Sequence, residues 1–142
     1  MTGVNAMPSE LSTTETCVKH TTSVVYLVDD DPGISAALSM LLRHRGFRVR
    51  AFQSAKEFLA GYQSTENAYI VIDVRLPDMT GLEALDELAL AGHEPPAVVI
   101  TGHGPPPVRF QSRVKNVTSV LLKPFDPDEL LALIKQGCAT KL

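Results

Sequence analysis

Val24-Val25-Tyr26-Leu27-Val28-Asp29-Asp30-Asp31-Pro32 is the stretch on which the fold turns. Five apolar residues run without a polar break; a strand with one solvent face would alternate, whereas a strand covered on both faces reads as a continuous run. The run stops abruptly at three acids. Asp31-Pro32 then has the form of a helix N-cap followed by proline at the first helical position, where the missing N–H is one the helix does not use. Behind it Ile34, Leu38, Leu41 and Leu42 recur at helical spacing, and Gly46 supplies a stop.

The same unit repeats along the chain. Phe47, Val49 and Ala51 alternate as a short second strand, and Ser54 with Glu57 has capping-box spacing ahead of a helix carrying Phe58, Leu59 and Tyr62. Tyr69-Ile70-Val71-Ile72 is a third strand ending at Asp73, and Leu76-Pro77-Asp78-Met79 a loop. Thr80 and Glu83 open the next helix, with the stripe Leu82, Leu85, Leu88 and a stop at Gly92. Ala97-Val98-Val99-Ile100 is a fourth strand and Val120-Leu121-Leu122 a short fifth. Asp126-Pro127-Asp128-Glu129 starts a last helix with Leu130, Leu133 and Ile134 inward. Five strands alternating with helices predict an α/β fold, a doubly wound parallel sheet with helices on both faces and the flavodoxin-like order 2-1-3-4-5.

The chain has 142 residues, of which 44% are hydrophobic and 20% charged. With a mean hydropathy of +0.07, it carries enough apolar material for one packed core. Thirteen Lys+Arg against sixteen Asp+Glu give a net charge of -3, which supports neither direct nucleic-acid binding nor attraction to an anionic membrane. No apolar run approaches the roughly 18 residues of a spanning helix. Cys17 and Cys138 have neither metal-ligand nor disulfide-framework spacing, so a reducing cytoplasm is the expected compartment. Residues 1–22 contain eight Ser/Thr and no period to bury, which predicts a flexible leader. The folded domain is expected over 23–138, with a tail at 139–142.

In open α/β sheets ligands bind beyond the carboxyl ends of the strands, near the point where strand order reverses. The unusual polar residues fall there: Asp29, Asp30 and Asp31 after the first strand, Asp73 after the third, Thr101 after the fourth and Lys123 after the fifth. Each has an ordinary alternative. An acidic run is commonly a solvated cap, a lone Asp a turn former, a strand-end Thr a backbone partner, and a Lys a surface cation. Four candidates at four strand exits are harder to explain that way. Clustered carboxylates either raise a pKa or recruit a hard cation, with Mg²⁺ the expected ion. A carboxylate is also a nucleophile towards phosphorus, and a cation with a lysine would neutralise the transferring phosphoryl group.

The chain resembles a bacterial two-component response-regulator receiver domain. The resemblance covers about 23–137 and rests on four motifs in order: Val28-Asp29-Asp30-Asp31; Ile72-Asp73-Val74-Arg75-Leu76-Pro77-Asp78-Met79-Thr80-Gly81; Ile100-Thr101-Gly102-His103-Gly104; and Lys123-Pro124-Phe125. Their spacing adds to it, with 43 residues from Asp30 to Asp73, 28 from Asp73 to Thr101 and 22 from Thr101 to Lys123. The Thr-Gly-His-Gly variant is similar to the FixJ-type branch, whose receivers usually precede a helix-turn-helix output domain. The resemblance implies Asp73 as phosphoacceptor from a histidine kinase or phosphotransfer protein. It implies Mg²⁺ held by Asp29, Asp30, Asp73 and the backbone carbonyl of Arg75. Thr101 matches the switch hydroxyl, Lys123 the lysine that pairs with the phosphoryl group, and Lys123-Pro124 a cis peptide. Arg75 and His103 match two variable positions that tune acyl-phosphate lifetime.

Departures from the pattern are equally specific. Three residues before the lysine the family commonly has Tyr or Phe, and here stands Val120. Pro105-Pro106-Pro107 gives the helix after the fourth strand an atypical proline-rich start, which must fall at or beyond Pro107. Phe110, Val114 and Val117 would be its apolar stripe and Asn116 its end. The expected function is therefore a phosphorylation-dependent signalling switch, not an enzyme acting on a separate substrate. Its partners would be the kinase, a downstream protein and, by family habit, a second copy of itself. A phosphorylation-independent interaction module that keeps the fold is the alternative. A phosphohydrolase would need a second acid two residues after Asp73, where Arg75 stands. The chain ends soon after the last helix, so a stand-alone receiver is expected, with a piece of a longer protein the competing explanation.

Overall fold

The computed structural model describes residues 24–63, 67–102 and 116–139, the side chains of 138 and 139 excepted. The leader, the helix expected after the fourth strand with its three prolines, and His103 lie outside the described residues. Described in chain order are β1 (Val24–Val28), α1 (Pro32–His44), β2 (Arg48–Phe52), α2 (Ala55–Gly61), β3 (Ala68–Asp73), α3 (Gly81–Leu90), β4 (Ala97–Thr101), β5 (Val117–Leu122) and α4 (Pro127–Ala139). The strands form one parallel sheet in the order β2-β1-β3-β4-β5, which is the expected 2-1-3-4-5.

Burial explains the continuous apolar runs. Every residue of β1, β3 and β4 is buried, and successive side chains enter opposite layers. Tyr26, Val28, Ile70, Ile72 and Val99 pack with Phe58 of α2 and Leu82, Leu85 and Leu88 of α3. Val25, Leu27, Val71, Val98 and Ile100 pack with Leu38 and Leu42 of α1 and with Leu130, Leu131 and Ile134 of α4. The hydroxyl of Tyr26, inside the first layer, donates to the Gln63 carbonyl at 3.0 Å and accepts from the Gln63 amide at 3.1 Å, so burial leaves it satisfied.

The helix signals quoted from the sequence work as expected, with one exception at α2. Asp31 caps α1, its Oδ1 accepting from Gly33 at 2.9 Å and Ile34 at 3.2 Å. Thr80 and Glu83 form a complete capping box on α3. At α2 the box is half made: Ser54 Oγ accepts from the Glu57 amide, but the Glu57 carboxylate accepts from Gln53 rather than from Ser54. Gly46 and Gly92 follow α1 and α3 at φ 96° and 97°, the left-handed conformation that ends a helix without a Cβ penalty. In β2, an edge strand, Ala51 lies on the face of Val49 by register but is exposed there rather than buried.

The fifth strand is longer than expected. It begins at Val117, which pairs with Ala97 as a strand residue instead of closing a helical stripe. Asn116, the first described residue ahead of it, joins the sheet: its carbonyl accepts from the Ala97 amide at 3.0 Å and its Nδ2 donates to the Pro95 carbonyl at 2.6 Å. Those bonds fix the start of β5 on β4, and a register irregularity between Ala97 and Val98 absorbs the offset.

Candidate functional site

The topology brings the candidates together. β1 pairs with β2 on one side and with β3 on the other, so strand order reverses between β1 and β3, and Val28 is in register with Ile72. The next residues, Asp29 and Asp73, therefore leave the sheet side by side, both buried at 1% and 6% exposure. Thr101 ends β4, also buried, and its carbonyl accepts from the Lys123 amide at 2.8 Å, which sets Lys123 just beyond β5. The Lys123-Pro124 peptide is cis.

Lys123 joins the two buried acids. Its ammonium donates to Asp73 Oδ2 at 2.8 Å and to Asp29 Oδ2 at 3.3 Å. Partial burial pulls the ammonium pKa down, but the Asp73 hydrogen bond and the Asp29 charge outweigh it and hold the group above the usual lysine value. Burial pushes the Asp29 carboxyl above its usual range; the Asp31 amide and Lys123 oppose that shift, and the charge of Asp73 reinforces it. The remaining oxygens are bonded to backbone. Asp29 Oδ1 accepts from the Asp31 amide at 2.9 Å, and Asp73 Oδ1 from the Arg75 amide at 3.0 Å.

Asp30, exposed, completes an acidic group: one oxygen from each of Asp29, Asp30 and Asp73 lies within 4.8 Å of the others. The donor set suits a hard cation. It offers carboxylate oxygens only, which match Mg²⁺ and not the nitrogen and sulfur preference of Zn²⁺. With all three acids ionised, one lysine leaves two negative charges over, the charge a divalent ion would offset. Beside Lys123 opens a mainly apolar cavity of about 400 Å³, walled by Ile34, Ala37 and Leu38 of α1 and by Pro124, Phe125 and Pro127.

Two further residues, both inside the motif around Asp73 but given no role from the sequence, shape this corner. Gly81 lies so close to the Asp73 carbonyl that a Cβ would collide with it, and would also press on the Ile72 side chain. Asp78 reaches across to the first turn of α2, its Oδ1 accepting from Ala55 at 3.0 Å and its Oδ2 from Lys56 at 2.8 Å. A glycine opening a helix after a loop hints at the first. Nothing local points to the second, because its partners lie 22 and 23 residues away. Val120 is half-buried and packs its methyls against the layer of α2 and α3.

Residues 25–135 match the response regulator receiver domain, and the chain belongs to that family. It is 37% identical over 113 residues to the response regulator protein TmoT of Ectopseudomonas mendocina, a match covering 80% of this chain and 51% of that protein. It is 34% identical over 113 residues to the transcriptional regulatory protein FixJ of Rhizobium meliloti strain 1021, covering 80% and 55%. Among solved structures it is similar to the response regulator StyR, with a TM-score of 0.77 and 34% identity, over 84% of this chain and 61% of that one. The chain thus spans about half the length of the curated relatives it matches. A receiver domain of two-component response regulators is a module of phosphorylation-based signalling, and that is the class of this one. Among the described residues, no helix is long and apolar enough to cross a membrane.

Proposed function

We propose that the chain accepts a phosphoryl group on Asp73 from the phosphohistidine of a sensor histidine kinase or phosphotransfer protein, and that the new charge alters a surface read by a downstream protein. The observation that carries this reading is the Lys123 ammonium shared between Asp73 and Asp29 at the strand-order reversal. In the transfer a carboxylate oxygen of Asp73 attacks phosphorus, a P–O bond forms and the P–N bond breaks. The imidazole leaves with the bonding pair and is protonated from solvent. Lys123 follows the charge from the carboxylate to the phosphoryl oxygens. Thr101 donates its hydroxyl to the same group, and the Arg75 amide keeps the Asp73 carboxylate oriented. Asp29, Asp30, Asp73 and the Arg75 carbonyl would hold Mg²⁺, which supplies charge neutralisation on the transferring group when bound. The apolar hollow next to Lys123 offers a helix of the donor protein somewhere to seat. A cytoplasmic signalling protein without turnover of a separate substrate fits these roles.

Incubation with a small phosphodonor and Mg²⁺ should add one phosphoryl group, labile to acid and base, that is absent in Asp73→Asn. No adduct on the wild type, or an adduct that persists in Asp73→Asn, overturns the assignment. Val120 favours a second reading, a phosphorylation-independent interaction module, because an aliphatic side chain packed on the core has no ring to turn. Partner binding unchanged in both Asp73→Asn and Asp73→Glu would select it.

A further inference from the structure

The loop 74–80 carries the residue that touches Asp73 from the side opposite Lys123, and its conformation is fixed at three places. At its start the Val74 amide donates to the Ile100 carbonyl at 2.8 Å. At its end Thr80 caps α3, pairs with Arg75 across an antiparallel bridge, and is followed by Gly81, whose amide donates to the Val74 carbonyl at 2.8 Å. Between them Asp78 uses both carboxylate oxygens on α2, taking the Ala55 and Lys56 amides. Those amides belong to the first turn of the helix, where no internal acceptor exists. Asp78 and Lys56 are exposed, so water could serve the Lys56 amide; Ala55 is fully buried, and satisfying its amide accounts for only one of the two bonds.

What the link does account for is geometry. It ties the middle of the loop to a helix packed on the sheet, and the loop in turn sets the Arg75 amide on Asp73 Oδ1 at 3.0 Å. Leu76 and Met79 add apolar anchorage on the same face, so the carboxylate sharpens a placement that packing begins. We infer that Asp78 is a positioning residue of the site, holding the backbone of Arg75 against Asp73 by fastening the loop to α2; the inference rests on the function proposed above. Asp78 would act on both groups Arg75 brings, its amide towards the Asp73 carboxylate and its carbonyl towards the cation.

Ser54 supplies the control. Its hydroxyl caps the same helix, on the Glu57 amide at 3.2 Å, but belongs to the segment before α2 and not to the loop. Amide hydrogen exchange at Arg75 in the metal-free protein and Mg²⁺ affinity by calorimetry are to be compared in wild type, Asp78→Ala, Asp78→Asn and Ser54→Ala. In Asp78→Ala the exchange should quicken and the Mg²⁺ affinity fall, each about fivefold, the size of a lost cap. Asp78→Asn, which keeps one acceptor oxygen, should fall between, and Ser54→Ala should match the wild type in both. Wild-type values in Asp78→Ala, or equal shifts in Ser54→Ala, overturn the inference. Phosphorylation of the wild type is run alongside: its failure would remove the proposed function and leave the Arg75 exchange result to stand on its own.

Discussion

Lys123 is the residue on which the charge balance of the site depends. Without it two buried carboxylates face each other, and the cost of leaving them uncompensated exceeds what the ion pair contributes. Lys123→Ala should destabilise the metal-free protein by about 1–3 kcal/mol in urea denaturation, and millimolar Mg²⁺ should restore part of the loss. Asp78 makes a prediction of opposite chemical sense. Desolvation raises its pKa, but the Lys56 and Ala55 amides overcome that and hold the carboxyl below its usual value. A depressed folded pKa contributes stability that is complete above the unfolded value and is lost as pH falls through the folded one. Asp78→Ala should therefore melt below the wild type at neutral pH, and the difference should close as pH drops below about 3.9. The acids and the lysine could be recognised from their places at strand ends. Asp78 could not, since its role exists only once a loop and a helix distant in the chain have met.

At the scale of elements, the signals that proved readable were those whose partners are near in sequence. Asp31 before α1, the Thr80–Glu83 box and the glycines after α1 and α3 each act within four residues. The start of β5 was not readable in this way. Val117 fits a helical stripe as well as a strand, and the Asn116 bonds to Pro95 and Ala97 that decide the matter span about twenty residues. Gly81 lies between these cases, since its position can be read in the sequence but the reason for it cannot. Gly81→Ala should force the end of β3 away from α3 at the residue that carries Asp73, costing about 1–3 kcal/mol as an overpacked contact does. Thermal unfolding checks the cost, and the Asp73 carboxyl shift in NMR spectra checks the displacement.

On the scale of the molecule, the sheet order decides which parts of the site arise together. Asp29, Asp30 and Asp73 are gathered as soon as β1 and β3 pair, but Lys123 enters from β5, 50 residues beyond Asp73 and 94 beyond Asp29. A chain with only its first three strands docked holds the acids without their lysine. Folding order would thereby be coupled to charge: a sheet that paired β1 with β3 before β5 docked would carry a mutual repulsion that the arrival of β5 relieves. Mg²⁺ held by the acids as proposed would do the same from outside. If β1 and β3 are already paired in the transition state, the ion should speed refolding as well as slow unfolding; if they pair later, only the unfolding limb of a stopped-flow chevron should move. With Mg²⁺ bound as proposed, the three acids would make the metal a chemical clock for the moment at which the two inner strands of this domain come into register.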